Sequence, residues 1–225
     1  MQRHFFQELE NLKERLIRMG SLAEQAIAES IRALLERDAQ LARHVLDEDE
    51  AINRLEMEID NAVVDTLALQ QPVASDLRFI LAAQKINNDL ERIGDHAVNI
   101  AESALQYAGR DPIGRAADIP KMAAIAKTML RETIDAFVHS DARLARNVLL
   151  NDDEIDDLNR KTVDEMADLI REDTKYLAQA LDIIRVSRNL ERVADLATNI
   201  AEEVIFVAEA QVVKHHSAVR REPME

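Results

Sequence analysis

Residues 89–102 read DLERIGDHAVNIAE, and residues 189–202 read NLERVADLATNIAE. Leu90, Glu91, Arg92, Asp95, Ala97, Asn99, Ile100, Ala101 and Glu102 each return unchanged one hundred positions later. A chain that carries one segment twice is built from a duplicated unit, and its fold must be a fold of two copies. On a helix, Glu91, Asp95, Asn99 and Glu102 fall at i, i+4, i+8 and i+11 and share an arc of roughly 80°. Leu90, Ile93, Ala97, Ile100 and Ala104 form a separate apolar stripe. Each copy is therefore an amphipathic helix with an oxygen-rich ribbon on its polar side.

The rest of the chain extends the duplication. Residues 29–46 (ESIRALLERDAQLARHVL) align with residues 132–149 (ETIDAFVHSDARLARNVL) at an offset of 103, which falls to 100 by the third helix. The second copy has lost three residues at the turn where the first has QQPVASDLR. Only four glycines and four prolines interrupt 225 residues, and aromatics make up 3%, which favours long helices packed by aliphatic side chains. The periodicity predicts a first helix over about 3–36 and a second over about 38–70, capped by Asp38. A third runs to about 108, capped by Ser75 or Asp76. The glycine and proline cluster at 109–114 is the expected boundary. Pro120 suits the first turn of the next helix. Asp141 and Asp173 or Thr174 are the expected caps of single fifth and sixth helices. The predicted fold is all-α: two tandem, internally duplicated three-helix bundles over 1–110 and 118–213, then a polar tail at 214–225. The bundles are expected to separate by proteolysis within 109–114.

The second helix carries its own ribbon, Asp49, Asn53, Glu56 and Asp60, whose second copy is Asp152, Asp156, Asn159 and Val163. If the second and third helices pack side by side, each half joins two such ribbons. Two unit charges 4 Å apart repel by about 4 kcal/mol at an effective dielectric of about 20. A bound cation turns that repulsion into ligation, and oxygen donors suit magnesium, manganese, calcium or iron, with zinc also admitted. The candidate ligands are Glu91, Asp95, Asn99 and Glu102 with Asp49, Asn53, Glu56 and Asp60 in the first half. In the second they are Glu191, Asp195, Asn199 and Glu202 with Asp152 and Asp156. Val163 in place of Asp60 makes the second site the weaker. Against this stands the plain alternative of a metal-free helical scaffold whose acidic faces are simply solvated.

Other classes fit poorly. A net charge of −15 disfavours binding to nucleic acid or an anionic membrane by charge. The absence of cysteine removes thiolate catalysis and zinc–cysteine sites. None of the six histidines has a glutamate three positions before it, as a ferritin-like di-iron bundle requires. Phosphate-loop, dinucleotide and nucleophile-elbow motifs are missing. Met19, Met57, Met122, Met129 and Met166 read as core filler. No apolar run approaches the roughly 20 residues of a membrane span, and the N-terminus lacks a signal-peptide core, so a cytoplasmic location is expected.

The paired LERIGD and LERVAD segments, with QPVASDLR ahead of the first, resemble the signature of the PhoU family of phosphate-transport-system regulators. The resemblance covers nearly the whole chain. It implies tandem PhoU bundles in a cytoplasmic, often dimeric regulator without enzymatic activity. Such a protein restrains phosphate uptake and the phosphate-starvation response, acting with the phosphate-specific ABC transporter and a phosphate-sensing histidine kinase. It also implies multinuclear metal clusters on the E(D)-x-x-x-D motifs, here Glu91/Asp95 and Glu191/Asp195 with Asp49/Asn53 and Asp152/Asp156. Asn53 departs from an acid at that position.

Overall fold

The computed structural model describes residues 2–113 and 118–213. Gly114 and the tail expected at 214–225 lie outside the described residues. The helices are α1 (Gln2–Glu36), α2 (Ala39–Gln70), α3 (Ala74–Ala108), α4 (Ile119–His139), α5 (Ala142–Leu150), α6 (Asp152–Glu172) and α7 (Leu177–Glu209), with a 3-10 turn at Thr174–Tyr176 before the last. No strand occurs among the described residues, and none of their helices is long and apolar enough to cross a membrane.

The corner between α1 and α2 is a local solution that the chain uses twice. Arg37 and Ser140 take left-handed backbone, at φ 58° and 52°. The Asp38 and Asp141 N–H groups reach back to the Ala33 and Ala136 carbonyls, each at 2.9 Å. The carboxylates of the same two aspartates then cap the following helix, accepting from Gln40 and Leu41 and from Arg143 and Leu144. One residue thus closes one helix and opens the next, in both halves.

Three sequence expectations need correction. Neither Ser75 nor Asp76 caps α3. The helix starts at Ala74, with Val73 at the cap position and no side-chain cap bond. Left-handed backbone at Gln71 and Ala74, both φ 46°, turns the chain into the helix before Ser75 is reached. Asp76 falls in the first turn, where a negative charge suits the helix dipole. The expected single fifth helix is broken at Asn151, which has ψ −7° and donates its N–H to the Val148 carbonyl. Asp152, Asp153 and Glu154 then fill the first turn of α6, so three like charges sit where a dipole favours them. Met57 is not core filler but 57% exposed, whereas Met19, Met122, Met129 and Met166 are buried as expected.

Within each half, three long helical stretches alternate in direction. The halves do not stand apart: α1 packs on α3, α3 on α7, α7 on α4 and α4 on α1, closing a ring of four helices. α2 lies against α1 and α3, while α5 and α6 lie against α7. The α3–α7 pair is antiparallel, as three cross-links along it show: Arg110 with Asp182, His96 Nδ1 with Asn189 Oδ1 at 2.8 Å, and Lys85 Nζ with Glu203 Oε1 at 2.6 Å. α1 and α4 also meet directly. A Cβ on Gly20 would stand 2.6 Å from the Ile134 Cδ1, so that side chain would have to shift to admit one. One hydrophobic core therefore runs unbroken through both halves.

Candidate functional site

α2 lies antiparallel to α3, and their register decides which carboxylates meet. The helices come close at Gly94, where a Cβ would lie 3.0 Å from Ile52 Cδ1 and 3.5 Å from Asp49 Oδ1. This brings Asp49 beside Asp95 and Glu56 beside Glu91. Burial pushes the Glu91 carboxyl above its ordinary range, and the charges of Asp95, Glu56 and Asp49 push it the same way. Burial also raises Asp49, against the hydrogen bond it accepts from Asn53 Nδ2 at 2.9 Å. Asp49, Glu56, Glu91 and Asp95 thus form one acidic seam, with Asn53 attached to it.

The other residues of the first-half ribbons do not join this seam. Asp60 Oδ1 accepts from Gln84 Nε2 and Asn87 Nδ2, both at 2.7 Å, and is committed to holding α2 on α3. Asn99 and Glu102 stand exposed on α3.

The second half builds its seam from α6 and α7. Asp156 sits beside Asp195, and Glu191 feels Asp195, Asp156 and Asp152. Burial is the main cause that raises both Asp156 and Glu191, with the neighbouring acids adding to it. Arg192 partly relieves this seam, at 2.8 Å from Asp195 and 3.5 Å from Glu191. The Asn159 carbonyl accepts from Ser187 Oγ at 2.7 Å, which ties α6 to α7. Val163, where the first half has Asp60, is half-buried.

Asn199 and Glu202 have a different fate from their first-half copies. With Asp152 and Asp195 they line a cleft of about 840 Å³ between α3, α6 and α7. Lys85, Asp89, Arg92 and Glu203 line it too. Burial lifts the Asp89 carboxyl to about 6. Arg92 and Lys85 oppose that shift, and Glu203 adds to it. Sequence reasoning missed Asp89 and Glu203 because their copies are Asn189 and Ser103, so the repeat does not single them out.

The donors are all oxygen, and the seams carry like charge that Arg92 and Arg192 only partly relieve, both of which suit a hard cation. The geometry is open, however. Among the described residues no three His, Cys, Asp or Glu side chains converge at ligating distance. An ion at either seam would have to draw the carboxylates inward.

A duplicated three-helix unit, fused through its third helices and bearing a carboxylate seam in each copy, is the class of protein that fold and site define. The chain belongs to the PhoU family: the PhoU domain matches it twice, at residues 16–104 and 119–204. It is 38% identical over 210 residues to the phosphate-specific transport system accessory protein PhoU homolog of Aquifex aeolicus, covering 93% of this chain and 95% of the relative. The same identity holds over 213 residues with the homolog of Pseudomonas putida, covering 94% and 83%. The crystal structure of PhoU from Pseudomonas aeruginosa superposes with a TM-score of 0.90 at 36% identity, over 92% of this chain and all of that one. The phosphate transport system regulatory protein PhoU of Streptococcus pneumoniae gives 0.87 at 26% identity, over 94% and 100%.

Proposed function

We propose that this protein is an accessory regulator of phosphate transport that represses phosphate uptake and the phosphate-starvation response. The observation that carries this reading is likeness over nearly the whole chain to proteins named as accessory to the phosphate-specific transport system. In this reading the protein is a homodimeric, cytoplasmic adaptor without enzymatic activity. It docks on the phosphate-specific ABC transporter and on a phosphate-sensing histidine kinase. The seams at Asp49/Glu56/Glu91/Asp95 and Asp156/Glu191/Asp195, with Asp152 at the edge of the second, would hold divalent or trivalent metal such as iron, zinc, magnesium or manganese. Bound metal would supply positive charge that locks α2 on α3 and α6 on α7. The raised carboxyls of Asp49, Glu91, Asp156 and Glu191 support this.

Two experiments test the two parts. Deleting the gene should derepress phosphate uptake at high phosphate, and unchanged uptake refutes the regulatory reading. Metal analysis of protein purified without chelator tests the seams. Glu91→Gln with Asp95→Asn should lower metal content and shrink the rise in melting temperature that added divalent cation causes. Metal-free wild type, with equal small cation effects on both proteins, refutes the metal reading and favours the plain scaffold.

A further inference from the structure

The outward stripe on α7 differs in charge from its copy on α3. Leu177, Leu181, Arg185, Arg188 and Arg192 stand at i, i+4, i+8, i+11 and i+15, an arc of roughly 80° over about 22 Å of helix. The same stripe on α3 is Leu77, Leu81, Lys85, Asn88 and Arg92. Both keep the exposed leucines: Leu177 is 47% and Leu181 48% exposed, Leu77 37% and Leu81 45%.

The α3 stripe is neutralised. Lys85 is held by Glu203 at 2.6 Å, and Arg92 has Asp89 at 3.7 Å. On the α7 side Arg185 and Arg192 keep the charge of Lys85 and Arg92, while the other three members of the set all change in one direction. Asn88 becomes Arg188, Asp89 becomes Asn189, and the position of Glu203 becomes Ser103. The Ser103 hydroxyl turns to its own helix, donating to the Asn99 carbonyl at 2.8 Å. Arg188 has no ion pair or side-chain hydrogen bond among the described residues. The charge of Arg185 acts on Asp182, which Arg110 already holds. Arg192 shares Asp195 and Glu191, whose copies Asp95 and Glu91 are also present beside Arg92, so these acids do not distinguish the stripes. The α3 set of Lys85, Asn88, Arg92, Asp89 and Glu203 is neutral, and the α7 set carries three positive charges. In a chain of net charge −15, that is a local reversal of sign.

We infer that this α7 stripe docks an acidic segment of a partner protein, with apolar side chains of that segment seated on Leu177 and Leu181. The cations would face its carboxylates along the open cleft of about 390 Å³ lined by Leu181, Ile184, Arg185, Arg188, Asn189 and Arg192. The length of the stripe suits a run of chain rather than a single small anion, which would need an enclosing pocket. The leucines add the apolar contact that charge alone lacks. The inference gives the adaptor reading a contact surface and rests on that reading for its biological use. The binding assay reads the surface alone.

The probe is a fluorescein-labelled synthetic peptide of about 15 residues, long enough to run the stripe as a helix. It has two leucines near one end and glutamates at helical spacing. Fluorescence anisotropy should show binding to the full chain that weakens with salt. Arg185→Glu with Arg188→Glu should weaken it at least about tenfold, and Arg188→Ala should weaken it less. Asn88→Glu, the matching change on α3, should leave it within about twofold. Circular dichroism checks that each variant is folded. Failure of the wild type to bind overturns the inference, as does equal binding by the double variant or by a lysine-for-glutamate peptide. Arginine-dependent binding of inorganic phosphate or phosphatidylglycerol vesicles without binding of the peptide also overturns it. Derepressed uptake in the deletion strain, alongside a peptide that does not bind, would refute the surface and leave the regulatory reading intact.

Discussion

Asp89 offers the sharpest test of how burial and charge balance in the cleft. Its side chain is only 14% exposed, and its carboxyl is lifted from 3.8 to about 6. At about 1.36 kcal/mol for each tenfold change in proton affinity, that rise means that ionised Asp89 weakens the fold by up to about 3 kcal/mol relative to the unfolded chain. Residual solvent screening brings the expected figure to about 1–3 kcal/mol. Because the folded pKa lies above the unfolded one, the native state binds the extra proton between about pH 4 and pH 6. Acidification through that window therefore stabilises the protein at this site, and the stabilisation is lost again as pH rises past about 6. Asp89→Asn cannot ionise and keeps the shape of the side chain. At pH 7.5 in chelator-containing buffer, urea unfolding should show the variant more stable than wild type by about 1–3 kcal/mol. Near pH 4 the difference should shrink to a few tenths of a kcal/mol. Taking the difference between the two proteins removes the other titrating acids. A variant less stable than wild type at pH 7.5, or a difference that ignores pH, would refute the reasoning. In that case the pairing with Arg92 and Lys85 would outweigh burial.

Gly94→Val should cost about 1–3 kcal/mol in urea unfolding, because a branched side chain must push Ile52 and Asp49 off α3; Gly94→Ala, which restores the Ala194 of the second half, should cost less. Leu90→Asp and Leu190→Asp, both fully buried, should each lower stability by several kcal/mol. The shared core predicts one cooperative transition for each variant in circular dichroism, and loss of one half with an unchanged second transition would count against it. Limited proteolysis should cut near 109–113, yet the fragments should elute together on size exclusion, held by α3 on α7 and α1 on α4; two freely separating fragments would show that the ring is not the folding unit.

What the sequence determined by itself is whatever acts within one helix or one corner. The duplication, the apolar stripes and the Asp38 and Asp141 caps depend on spacing and on neighbours two or three residues away, and all were readable. So was the proximity of acids on a single face, such as Glu91 and Asp95. Tertiary structure decided everything that depends on where one helix stops against another. The close approach at Gly94 sets Asp49 and Glu56 against α3 and leaves Asn99 and Glu102 outside, while Asn87 takes Asp60 out of the same ribbon. The closing of α1, α3, α7 and α4 into one ring could not be read from two separately complete periodic patterns, since each pattern records that a face is buried and not what buries it. The neutrality of one stripe and the exposed charge of the other hang on Lys85 finding Glu203, 118 positions away. Side-chain periodicity is fixed by the local backbone, but ion pairing across helices is fixed only when packing chooses their direction and register.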